Sequence, residues 1–128
     1  MRENYFPHII KKGNKMRMWM VNPKILCRKH LLGEHVECHM FLGAMQYNKN
    51  LDGYVDNNLF EVDQLFYRHT DLSQEIEARG YKHKSPLNLG VYVENRKRYR
   101  NVKIDTEQTL NDLINRCPEC RKRMEELK

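Results

Sequence analysis

No stretch of the 128 residues approaches the ~20 consecutive apolar side chains that a membrane-crossing helix needs. The first fifteen residues carry Pro7, Gly13 and several charges where a secretory leader has an apolar core, so the sequence is read as that of a cytoplasmic protein. Internal repeats and low-complexity tracts are missing too, which excludes solenoids and long linkers. At this length one modest core can form, but not two independent ones. Acidic side chains are in deficit, 17 against 23 Lys and Arg. The net charge of +6 makes a polyanion the expected large partner.

What is present divides into an arm and a helical domain. Residues 1–15 mix charge with Pro7 and a Gly13-Asn14 pair and show no sustained period, so they read as an N-terminal arm ahead of a domain spanning 16–128. Met16, Met18 and Met20 alternate with Arg17, Trp19 and Val21, which suggests a short extended entry into the core. Asn22-Pro23 has the form of an N-cap with proline in the first helical position. A first helix is predicted from Pro23 to about Met45, followed by a loop over 46–58, where Asn, Asp and Gly are dense. Leu65, His69, Leu72 and Ile76 recur at helical spacing, so a second helix should run from about Leu59 to Arg79 and stop at Gly80. Residues 81–104 read mostly as loop, with a strand-like piece around Val91–Val93. Asp105 or Thr106 can cap a third helix, striped by Leu110, Leu113, Ile114 and Cys117 and interrupted at Pro118. The expectation is an all-α fold, a compact single domain of three main helices with long loops.

The densest polar cluster, Cys27 to His39, falls inside the first helix. At about 100° per residue, His30, Glu34 and Glu37 share roughly 60° of arc, with Leu32 and Val36 facing the other way. Such a face is either solvated or a site holding two carboxylates and an imidazole. A metal-dependent hydrolase using His30, Glu34, His35, Glu37 and His39 is the less favourable reading, because His35 and His39 stand about 140° and 180° away from His30.

The string LCRKHLLGEHVECHMFLGAM resembles the first helix of the pyrimidine-dimer DNA glycosylases of the endonuclease V type. LFYRHTDLSQEIEARGY is similar to that family's second helix, and LNDLINRCPEC to its third. The resemblance implies a DNA repair enzyme, monomeric and without a cofactor, that acts on damaged double-stranded DNA in the cytoplasm, on the nucleoid or in a virus-infected host. Its chemistry would be amine attack at the deoxyribose C1′ followed by β-elimination at the abasic site. Glu37 matches the family's catalytic carboxylate, His30 a histidine beside the active site, and Arg17 a basic residue that holds a phosphate. The family's nucleophile is the α-amine of the first mature residue, which aligns with Met16. That amine is free only if the chain starts or is trimmed there; Lys15 is the other candidate. Val36 and Met40 stand where the best-known type carries arginines. The alternative function is a DNA-binding module of the same fold without catalysis.

Arg28 and Lys29, the run Arg96, Lys97, Arg98, Tyr99, Arg100, and Arg121-Lys122 are the candidate phosphate contacts. Cys117-Pro118-Glu119-Cys120 has the spacing of half a zinc site. Cys27 and Cys38, about 16 Å apart on one helix, cannot both complete it, although one of them with a histidine could. Reduced thiols and no metal are the reading preferred here. Trp19, Tyr47, Phe60, Phe66 and Tyr67 are read as core or rim residues.

Overall fold

Turn chemistry close in sequence sets most of the boundaries. In the computed structural model, which describes residues 16–82, 85–99 and 101–128, Asn22 Oδ1 accepts from the Lys24 backbone N–H at 3.0 Å, and a 3₁₀ turn follows at Pro23–Ile25. Helix α1 spans Arg28–Gln46. Helix α3 spans Val62–Ala78 and ends as the glycine predicted: Gly80 takes φ +84°, its N–H bonds Glu77, and Tyr81 N–H bonds Ile76. This is the left-handed capping pattern that glycine adopts without a steric penalty. Asp105 caps α5 (Thr106–Arg116) by accepting from the Glu107 and Gln108 amides, and Pro118 then opens a separate helix, α6, at Pro118–Glu126.

The fold is all-α, with six helices and no strand among the described residues. Two of the six lie in segments read from sequence as loop. Asp52–Asp56 forms α2, and Leu89–Asn95 forms α4, capped by Asn88 and continued by a 3₁₀ turn at Arg96–Tyr99. Val91–Val93 is therefore helical and not strand-like. Tyr92 from this helix is buried and donates to the Val62 and Asp63 carbonyls, which ties α4 to the start of α3. The arm read over residues 1–15 and the candidate Arg100 lie outside the described residues.

The core forms where α1 packs along α3. Phe41 and Phe60 are fully buried and stack at 4.5 Å between ring centroids. Trp19 and Phe60 are core, as the sequence suggested, whereas Tyr47 and Tyr67 are exposed. Residues 16–21 have no regular secondary structure, yet they run through the middle of this packing. Met18 N–H bonds the Leu59 carbonyl, Thr109 Oγ1 donates to the Trp19 carbonyl, and Arg68 Nη1 donates to the Val21 carbonyl. Buried main-chain groups need partners, and these three find theirs in the link between α2 and α3, on α5 and on α3.

Candidate active site

Glu37 is the central residue of α1, and its Oε1 accepts from the Arg17 backbone N–H at 2.7 Å. The segment that carries Arg17 is held by the three bonds just described, so this contact has little freedom. Burial pushes the Glu37 carboxyl up to about 7, against the pull of the Arg17 amide; the nearby Glu34 charge adds to the rise. A carboxyl poised there can both give and take a proton near neutral pH. The Tyr54 hydroxyl of α2 lies beside the Met16 backbone N–H, and burial with the Glu37 charge raises its pKa. Met16 itself is fully buried. Sequence reasoning missed Tyr54, which sits in a segment read as loop.

The two carboxylates on this helix do not act as a pair. Glu34 is 1% exposed and bound by Arg68 of α3 at two points, Nε to Oε2 at 2.7 Å and Nη2 to Oε1 at 2.9 Å. Both of its oxygens are occupied, and the fork geometry holds the side chain in place. The face holding His30, Glu34 and Glu37 is thus split three ways: Glu34 into the helix seam, Glu37 toward the segment 16–17, and His30 toward sulfur. His30 Nδ1 lies 3.2 Å from Cys27 Sγ and 3.6 Å from Cys120 Sγ, and its ring meets Trp19 edge-on. Burial, followed by the neighbouring Lys29, lowers its pKa.

The other histidines of the polar cluster face a different partner. His35 and His39 meet His69 of α3, with His39 Nε2 3.0 Å from His69 Nε2 and both of these near the Ser85 carbonyl. His30 takes no part in this group, as the helix angles predicted for a single metal-binding face.

Of the candidate phosphate contacts, Arg28, Lys29, Lys97, Arg98, Arg121 and Lys122 are exposed, and Arg96 is half-buried. Arg17 is turned inward: its guanidinium lies 3.7 Å over the Trp19 ring, and Nη2 is 3.7 Å from Asp112 Oδ2. The exposed cations sit at the two ends of α1. Arg28 and Lys29 form its first turn, and Arg121 follows Cys120, whose thiol accepts from the Cys27 N–H. At the other end Arg98 bonds Asn48, just past the helix terminus, beside a depression lined by Met45, Asn95 and Lys97. With 1.5 Å per residue, the two cationic ends lie roughly 28 Å apart, with Glu37 midway.

None of the helices among the described residues is long and apolar enough to cross a membrane. No curated protein and no solved structure matches the chain significantly. The family model described as pyrimidine dimer DNA glycosylase matches residues 16–89, a segment that runs from the buried, irregular stretch 16–21 through α1, α2 and α3 and includes Glu37, Tyr54 and Arg68. That is more than half of the sequence, and the chain belongs to the pyrimidine dimer DNA glycosylase family.

Proposed function

We propose that the chain is a DNA glycosylase with abasic-site lyase activity, using the α-amine of residue 16 as nucleophile and Glu37 as its acid and base. The observation that carries this reading is the 2.7 Å bond from Arg17 N–H to Glu37. It puts the nitrogen of residue 16 one residue away from a carboxyl titrating at about 7. An α-amine has an ordinary pKa near ~8, so a useful fraction is neutral at physiological pH.

In this scheme the damaged nucleotide is turned out of the duplex and the amine attacks C1′. The new N–C1′ bond replaces the glycosidic bond, whose electron pair leaves with the base, and the proton shed by the amine goes to that base. Protonated Glu37 supplies the proton that opens the sugar and yields the imine. Its carboxylate then takes a proton from C2′, and the C3′–O bond breaks so that the downstream strand leaves with a 5′-phosphate end. The cations at the two ends of α1 flank this point and suit a duplex backbone, which offers phosphates every few ångströms along that span.

Borohydride trapping on abasic and ultraviolet-damaged duplex tests the scheme, using the full chain and a form that begins at Met16. The expected result is a covalent adduct with the Met16-start form that disappears when its α-amine is blocked. Absence of an adduct from both forms refutes the enzyme reading.

One observation favours a second reading, a DNA-binding module without catalysis. Val36 is 52% exposed on α1, an apolar side chain on the surface at a position where the best-known type of the family has an arginine. This reading expects salt-sensitive duplex binding that survives Glu37→Gln with no adduct formed.

A further inference from the structure

Four side chains outside that chemistry converge where the two ends of the described chain meet. Cys27 immediately precedes α1, His30 lies in its first turn, and Cys117 and Cys120 begin α6. Cys117 and Cys120 lie beyond the matched segment 16–89. Their ligand-capable atoms all fall within 4.8 Å of one another. Cys27 Sγ is 3.8 Å from Cys117 Sγ, while His30 Nδ1 is 3.2 Å from Cys27 Sγ and 3.6 Å from Cys120 Sγ.

We propose that Cys27, His30, Cys117 and Cys120 form a structural zinc site that clips α6 to the start of α1. With Zn–S near 2.3 Å and Zn–N near 2.05 Å, a tetrahedron has S···S edges of about 3.8 Å and S···N edges of about 3.6 Å. The three separations given match those edges to within a few tenths of an ångström, and no other pair exceeds 4.8 Å. A disulfide would need the sulfurs at about 2.05 Å, and all four cysteines are free thiols.

Three local features point the same way. Cys27 occupies an N-cap position where Ser, Thr, Asp or Asn is preferred by about 1 kcal/mol, yet its thiol makes no capping bond. Its side chain is turned instead to the other three groups. The amides of Cys27 and Cys120 donate to sulfur, Cys27 N to Cys120 Sγ at 3.2 Å and Cys120 N to Cys117 Sγ at 3.4 Å. Such bonds fix where the two sulfurs point. Two helix N-termini meet at the cluster, and their dipoles suit negative charge. Binding would displace three thiol protons to solvent and leave a site of net charge −1, bordered by Arg28, Lys29 and Arg121.

The spacing Cys-x-x-His with Cys-x-x-Cys, fully liganded by protein, is that of a closed structural site with no open position for substrate. Its role is therefore to hold the last helix, and the cations on it, against the first turn of α1. This inference stands apart from the glycosylase scheme and fails or survives independently of it.

The test is metal analysis and cobalt titration of the full chain purified under reducing conditions. Stoichiometric zinc is expected, and cobalt should give thiolate charge-transfer bands with the intense visible bands of a tetrahedral ion. Both should be lost in Cys117→Ser/Cys120→Ser, kept in His30→Cys, and unaffected by His39→Ala, which separates this site from the three-histidine group. A chain that carries no zinc, gives no charge-transfer bands with cobalt, and titrates all four thiols at a rate insensitive to metal overturns the proposal. Cobalt bands that vanish with His39→Ala but persist in the cysteine variant overturn it as well.

Discussion

Glu37→Gln removes a charge without removing an acceptor, because the amide oxygen of glutamine can still receive the Arg17 N–H now held at 2.7 Å. The wild-type carboxyl keeps its proton in the folded state until about pH 7, whereas in the unfolded chain it ionises near the ordinary 4.5. Between those values the folded state binds one more proton, so stability declines as pH rises, by about 1.4 kcal/mol per pH unit, and levels off above pH 7. The whole interval amounts to at most about 3 kcal/mol. The variant carries no such proton. Its advantage over wild type should be near zero at pH 4.5 and reach ~3 kcal/mol at pH 8, or roughly 10 °C in Tm for a domain of this size. Urea denaturation of both proteins at half-unit steps from pH 4.5 to 8 measures the difference, and every other titrating group cancels in it. Activity should move the opposite way, with trapping on abasic duplex lost in the more stable variant, the trade-off expected of a strained functional group. A difference that stays flat across this range would refute the claim that Glu37 is held in an environment hostile to its charge.

The buried pair supplies a second prediction. Arg68→Met should cost ~3–5 kcal/mol by leaving the Glu34 charge unpaired, while Glu34→Met/Arg68→Met should recover most of the loss; denaturant melts of the three proteins check this. Gly80→Ala puts a Cβ on a residue with φ +84° and should cost about 1 kcal/mol by the same measurement, with Gly80→Asn milder. Replacing Lys97 and Arg98 together by alanine should reduce the salt dependence of duplex binding by a slope of about 1.8, at about 0.9 per phosphate contact, while leaving the melting curve unchanged.

Boundaries that depend on neighbours a few residues away were legible at Gly80, Asp105 and Pro118, each acting through a local bond or steric rule, whereas Asn22-Pro23 caps only a 3₁₀ turn and the first helix, read from Pro23, begins at Arg28. The short helices α2 and α4 were not. Their Asn, Asp and Gly content argues for turns, and it is the burial of Tyr54 and Tyr92 against other elements that makes them fold. Glu37 could be singled out by resemblance, but the fate of Glu34 could not: its partner Arg68 is 34 residues away, and nothing local to α1 announces it. Helix angles separated His30 from His35 and His39 correctly, and the helical rise set Cys27 and Cys38 too far apart to share one ion. That Cys27 lies beside His30, Cys117 and Cys120 depends on the tertiary packing of α6.

The anchoring of residues 16–21 has a consequence for how work is shared between protein and ligand. Main-chain groups tied to Glu37, Leu59, Thr109 and Arg68 leave that segment no hinge with which to reach outward. A reaction centred there must receive its sugar ready-presented, so the distortion falls on the nucleic acid, and strands already weakened in their stacking become the cheapest to admit. Selectivity for lesions would then arise from the mechanical softness of the duplex as much as from any contact with the altered base.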